Sequence, residues 1–280
     1  MRLEERAGGS CRLPGQMSEK LKPRTRPNRR VRRPGGGLAR ALSKMGLCSR
    51  RQALAMISSG RVLVNGVVCQ DAETPVNLDH DTIEVDGRRV VPTAKVYVML
   101  NKPRGFLTTT ADEKGRRTVY DCLPESNLPW LAPVGRLDKA SEGLLLLSND
   151  TQWAARILAP ETHIEKIYHV QIDCLADESL LRGMVQGVTV DDGDFLSVKG
   201  VRPLRYGSRN SWLEVVLDQG KNRHIRRLLG ALGVNVLRLV RVAIGPLQLG
   251  TLAKGKCRQL SEAEQRALEA ASAILPEPFR

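Results

Sequence analysis

At 280 residues the chain can hold one large domain, or a small one and a medium one, each with its own core. A formal net charge of +14 points to a polyanionic partner, nucleic acid before anionic membrane, and no apolar run approaches the roughly 20 residues of a spanning helix. The six cysteines (Cys11, Cys48, Cys69, Cys122, Cys174, Cys257) and four histidines (His80, His163, His169, His224) form neither a C-x-x-C pair nor a metal-ligand spacing. That argues against a disulfide framework and a zinc site and leaves incidental thiols in a reducing cytoplasm.

Residues 1–37 carry eleven basic and three acidic residues among prolines and glycines, so the expectation is a disordered basic arm. It has no apolar h-region of a secretory signal, and Met17 is a second candidate start. Residues 38–92 read as a compact module. Leu38, Leu42 and Met45 share one helical face before Gly46, Ser49 caps a second helix ending at Gly60, and Asn65-Gly66 between β-branched runs signals a hairpin. Residues 38–70 hold five cations (Arg40, Lys44, Arg50, Arg51, Arg61) and no acid, whereas residues 71–86 hold six acids and no base. Such segregation gives one positive face, suited to phosphate contacts; a merely solvated helix face is the plainer alternative. This helix–helix–hairpin pattern, with SRRQA, GRVLVNG and the charges in step, resembles the S4 RNA-binding domain. The resemblance implies RNA binding without chemistry.

Past a linker near Pro92, an apolar strand (residues 96–100) runs into Lys102-Pro103 and Gly105, a turn that ends any regular element. VGRLDKASEGLLLLSND (residues 134–150) follows a Pro-rich connector. Four successive leucines are too short for a free helix and read as a strand buried on both faces, and Asp150 reads as the N-cap of the next helix. The loop before the leucines presents Asp138 between Arg136 and Lys139. Taken alone, a loop aspartate paired with Arg136 is the commoner situation. An Asp138/Glu142 pair of glycosidase type has no second supporting element, and Glu142 is expected to face solvent. A strand carrying Tyr168, a helix at 177–187 and further strands lead to GKNRHIRRLLGALG. Here Lys221, Asn222, Arg223 and Arg227 either start a phosphate-binding helix or lie on an ordinary basic one. Ser261 and Glu264 form a capping box for a last helix. Residues 219–261 hold nine cations and no acid, against fifteen cations and seventeen acids over residues 95–218.

In order, GRLDKASEGLLLLSND, EKIYHV, GKNRHIRRLLGALG and LRLVRVAIGPLQLG, with KPRG at residues 102–105, resemble the bacterial ribosomal RNA pseudouridine synthases that carry an N-terminal S4 domain. The fold so implied is α+β: an S4-type helix–helix–hairpin domain, then a catalytic domain (residues 95–270) on a mostly antiparallel sheet. The resemblance makes Asp138 the nucleophile, Tyr168 the aromatic that stacks on the target base and a candidate for proton removal, and Arg226 the basic partner that orients Asp138 through a salt bridge. It places Lys102, Arg136, Lys221, Asn222, Arg223 and Arg227 with the S4 cations among the RNA contacts. The chemistry suits these roles: an ionised carboxylate attacks C1′, a neighbouring arginine favours ionisation, and the base must be flipped out of its stack. No cofactor or metal is expected. His224 stands where glutamine is common and Ser148 where threonine is. The expected partner is ribosomal RNA or an assembly intermediate, with the large-subunit RNA favoured, and the protein a cytoplasmic monomer. The alternative is a non-catalytic S4-containing RNA-binding or assembly factor, which loss of Asp138, Tyr168 or Arg226 would have favoured.

Overall fold

The computed structural model describes residues 37–110, 112–124 and 128–273; the expected basic arm, up to residue 36, lies outside the described residues. The chain first forms α1 (Leu38–Lys44) and α2 (Arg50–Ser58). Ser49 starts α2 with a reciprocal cap: its hydroxyl accepts from Gln52 N at 3.2 Å and its own N–H donates to Gln52 Oε1 at 2.9 Å. Strands β1 (Val62–Val64) and β2 (Val67–Val68) form the expected hairpin; Asn65 and Gly66 both take positive φ, the conformation an Asn-Gly turn supplies at little cost. β3 (Ile83–Val85) pairs with β1 and turns through Asp86-Gly87 into β4 (Arg88–Arg89). Leu38, Leu42, Met45, Ala53, Ile57, Val62 and Ile83 close a core between helices and strands.

The rest of the chain builds one large sheet. Its strands are β5 (Tyr97–Lys102), β6 (Ala132–Val134), β7 (Glu142–Ser148), β8 (Lys166–Ile172), β11 (Gly200–Tyr206), β12 (Ser211–Leu217), β13 (Val236–Ile244), β14 (Leu247–Gln248) and β15 (Cys257–Gln259). β9 (Val188–Thr189) and β10 (Phe195–Leu196) make a separate hairpin. The order β11-β12-β8-β13-β7-β5-β15 is antiparallel throughout except where β13 runs parallel to β7, so the expected mostly antiparallel α+β architecture is found. Helices α3 (Thr151–Leu158), α4 (Glu178–Gln186), α5 (His224–Ala231) and α6 (Glu262–Ala271) cover it. Asp150 caps α3, accepting from Gln152 N and Trp153 N, and Ser261 with Glu264 boxes the start of α6.

β7 is the axis of this sheet. Leu144, Leu145, Leu146 and Leu147 are all 0 % exposed, alternating between two cores, and burying each is worth roughly 1.5–3 kcal/mol. Gly143, at φ +100°, opens the strand because a Cβ there would lie 2.3 Å from the Arg241 carbonyl oxygen of β13. At the other end, buried Asn149 ties β7 to the N-terminal module. It accepts from Val96 N at 2.8 Å and donates to Thr93 Oγ1 and Ala94 O, while Thr93 N donates to Met45 O and Trp130 N to Gly46 O. The strand that fixes the loop before it also fixes the small module behind it.

Candidate active site

The loop between β6 and β7 has every carbonyl from residue 137 to 141 occupied. Thr108 Oγ1 donates to Leu137 O at 2.7 Å. Lys102 Nζ donates to Asp138 O at 3.1 Å and to Ser141 O at 2.8 Å. Gly105 N donates to Lys139 O at 2.7 Å, and Arg226 Nη2 to Ala140 O at 3.1 Å. The Asp138 side chain, in contrast, makes no hydrogen bond or ion pair with the described residues and is half-buried. A pinned main chain with an unspent carboxylate is a preorganised reactive group.

Lys102 corrects the sequence reading, which put it among the RNA contacts. It is 0 % exposed, its third bond goes to Pro103 O at 3.1 Å, and burial pushes its pKa down to about 8. Its ammonium serves the loop, since two of the three carbonyls it bonds, those of Asp138 and Ser141, belong to it.

Asp138 and Tyr168 line one cavity of about 590 Å³, within the range of small-molecule sites. Arg136, Lys221, Asn222, Arg223 and His224 share its wall. Tyr168 is half-buried on β8, packed between the leucine core of β7 and the core beneath α5. Helix α5 starts at His224, later than the glycine-led start expected from GKNRHIRR, because Arg223 takes a left-handed conformation (φ 47°) as its N-cap. His224 is 7 % exposed and donates Nε2–H to Ser197 O at 2.9 Å; burial pulls its pKa down, which keeps the ring neutral.

Arg226 also departs from expectation: no salt bridge to Asp138 is formed. Its guanidinium bonds Val236 O at 3.1 Å and Ala140 O, and it therefore acts on Asp138 through the loop and through space. Burial lowers its pKa from the usual arginine value, as do Arg223 and Arg104, and the Asp138 charge opposes them.

Other cations are committed to acids that the sequence places far away. Arg227 pairs with Asp192 and with Asp194 at 2.9 Å, and Lys221 with Asp194 at 3.3 Å, all on the β9–β10 turn. Glu142, expected in solvent, is 2 % exposed and held by Arg238 at 3.1 Å and by Lys254. Burial would raise its pKa, and these two cations outweigh it to leave the carboxyl below its usual value. On the N-terminal module Arg61 donates to Asp86 at 2.8 Å, whereas Arg40, Lys44, Arg50 and Arg51 are exposed and have no partner among the described residues. Sequence reasoning missed Thr108 and Asn149, whose partners lie 29 or more residues away and leave no local signal.

Among the described residues no cluster of His, Cys, Asp or Glu could hold a metal, the cysteines are unpaired, and no helix is long and apolar enough to cross a membrane. The family described as RNA pseudouridylate synthase matches residues 96–231, and the S4 domain matches residues 37–83. A protein of Aquifex aeolicus (strain VF5) named an uncharacterized RNA pseudouridine synthase is 41 % identical over 80 % of this chain and 89 % of its own. The ribosomal large subunit pseudouridine synthase B of Bacillus subtilis (strain 168) is 34 % identical over 83 % of this chain and 95 % of its own. A crystal structure of a pseudouridylate synthase, 26 % identical, superposes with a TM-score of 0.59, covering 83 % of this chain and 99 % of that one.

Proposed function

The chain belongs to the RNA pseudouridine synthases and carries an S4 domain, and on that premise we propose that it isomerises a uridine of large-subunit ribosomal RNA with Asp138 as nucleophile. The carrying observation is the Asp138 carboxylate, without a partner among the described residues, on a loop whose carbonyls from residue 137 to 141 are all held, beside the cavity that Tyr168 lines. The flipped uridine enters with its base on the Tyr168 ring. The Asp138 carboxylate attacks C1′, or assists glycal formation, as the N1–C1′ bond breaks. The uracil turns over, C5 bonds C1′, and the carboxylate leaves. The C5 proton is lost, with Tyr168 the group nearest the base to take it. Arg226 keeps Ala140, two residues from the nucleophile, in register, and its positive charge favours the carboxylate form.

Docking falls to the S4 face, where Arg40, Lys44, Arg50 and Arg51 are unspent, and to Arg136, Asn222 and Arg223 at the cavity rim. The choice of the large subunit is supported by the B. subtilis relative's name. We read the enzyme as a monomer acting in the cytoplasm, where ribosomal RNA is assembled. Transcripts labelled with tritium at uridine C5 test the reading. Release from large-subunit RNA and none from small-subunit RNA is the expected result; the reverse pattern would reassign the substrate, and no release from either would remove the activity.

A further inference from the structure

Two cations in the cavity wall have no part in the chemistry so far. Lys166 and Tyr168 lie two residues apart on β8 and project from one face of the sheet, and Arg241 is the cross-strand neighbour of Tyr168 on β13. All three line the cavity. The Lys166 ammonium is partly buried and makes no hydrogen bond or ion pair with the described residues. Arg241 is 6 % exposed; its Nε donates to Leu144 O at 2.8 Å, while Nη2 is buried without a partner. Burial, then repulsion by Arg241, pulls the Lys166 pKa down from its usual value, with Asp218 opposing. Two like charges in one partly buried wall, neither within ion-pair distance of a carboxylate among the described residues, are costly. A substrate that develops negative charge in this cavity would compensate both.

The position selects which substrate charge that is. The rim cations Arg136 and Arg223 are exposed, as phosphate contacts should be, whereas Lys166 and Arg241 lie beside the ring on which the base rests. When N1–C1′ breaks, its electron pair leaves with N1, and the detached uracil carries a negative charge spread onto O2 and O4. We infer that Lys166 and Arg241 are further catalytic residues, donating N–H bonds to the carbonyl oxygens of the detached uracil and stabilising its charge until C5 attacks C1′. Both act as hydrogen-bond donors and transfer no proton. The bonding pair returns through C5, Asp138 departs with its own pair, N1 takes up a proton and C5 gives one up. Fixed donors aimed at a charge that exists only after bond cleavage stabilise the transition state more than the ground state.

This inference rests on the isomerase reading, and the experiment separates the two. Wild-type protein, Lys166→Gln, Lys166→Arg and Arg241→Lys are compared under single turnover on a uridine transcript and on one with 5-fluorouridine at the target. Loss of the target nucleoside after digestion is measured, and RNA affinity separately. Fluorine at C5 stabilises the uracil anion and lessens the need for a protein cation. Lys166→Gln should slow the uridine substrate by about 100-fold, as loss of one anion-stabilising donor does, and the fluorinated one by only about 10-fold, with affinity within about twofold of wild type. Lys166→Arg should regain most of the rate, and Arg241→Lys should show the same contrast between substrates in smaller degree. Equal slowing on both substrates, or a loss confined to affinity, would overturn the inference and move the two cations onto a phosphate. A wild-type protein without turnover would overturn the isomerase reading itself.

Discussion

Residues 38–70 and 219–261 are alike in sequence: many cations, no acid, and every appearance of an RNA surface. In the fold they are used in opposite ways. Four of the five cations of the first stretch stand exposed without a partner among the described residues, and Arg61 alone has an acid there. In the second, Lys221 and Arg227 go to Asp192 and Asp194, Arg238 and Lys254 to Glu142, and Arg258 to Glu264. Arg226 and Arg241 are bonded to carbonyls, which leaves Arg223 and Lys256 exposed. Except for Glu264, these acids come from residues 95–218, where acids outnumber cations. A basic stretch marks a binding surface only when the acids able to reach it in three dimensions are missing. We read the first stretch as a surface for RNA; the second is mostly spent on acids and carbonyls of the fold.

The sharpest way to break this contrast is at Lys102, the cation most fully given to the loop. Lys102→Met should lower turnover by about 100-fold, the scale of effect expected when a reacting group is displaced by about 1 Å. RNA affinity should stay within about twofold, because no phosphate contact is lost. Binding and single-turnover assays on one preparation check this; a large loss of affinity would return Lys102 to the RNA surface.

The same residue sets a pH dependence. Its folded-state pKa of about 8 lies below the usual lysine value, so the folded protein releases this proton in a window where the unfolded chain still holds it. Stability attributable to Lys102 should therefore rise with pH from about 8 to about 10.4. Turnover should fall as pH rises through about 8, where the folded protein loses this proton, since a neutral amine has two N–H groups for three carbonyls. Melting curves and rates of wild type against Lys102→Met would show both trends; parallel pH profiles for the two proteins would contradict them.

Smaller effects are expected from the RNA surface itself. Arg50→Ala with Arg51→Ala should weaken RNA binding about tenfold and reduce the slope of log affinity against log salt by about 1–2, with the fold unchanged. The smallest effect on RNA belongs to Arg227→Ala. Affinity should move less than about twofold, while stability drops only slightly, as befits a partly exposed ion pair. Salt titrations and denaturation curves distinguish the two variants, and a salt-slope change in Arg227→Ala would show that its acids yield it to phosphate.

Much of this was legible in the residues. The leucine run announced a doubly buried strand, Asn65-Gly66 a hairpin, and Ser49, Asp150 and Ser261 three helix starts, because periodicity, turns and caps are local. The family motifs gathered Asp138, Tyr168 and the start of α5 around one cavity. What escaped depended on distance. Glu142 looked solvent-facing because its cations lie 96 and 112 residues away. Lys102 looked like a surface lysine because the carbonyls at Asp138 and Ser141 lie 36 and 39 residues on. The Arg226 salt bridge failed for a related reason: carbonyls of Val236 and Ala140, closed on it by the fold, took the guanidinium first.

The central claim is that the Asp138 loop is held by its main chain while its carboxylate is kept for chemistry. Asp138→Asn separates these functions, since the amide has the same shape and no carbonyl loses its donor. Melting midpoint, RNA affinity and single-turnover isomerisation should be measured on this variant beside wild type. An unchanged midpoint, affinity within about twofold and no detectable pseudouridine are expected, since removing a nucleophile costs several orders of magnitude in rate. Residual turnover within about tenfold of wild type, in a protein that folds and binds normally, would show that the carboxylate is not the nucleophile.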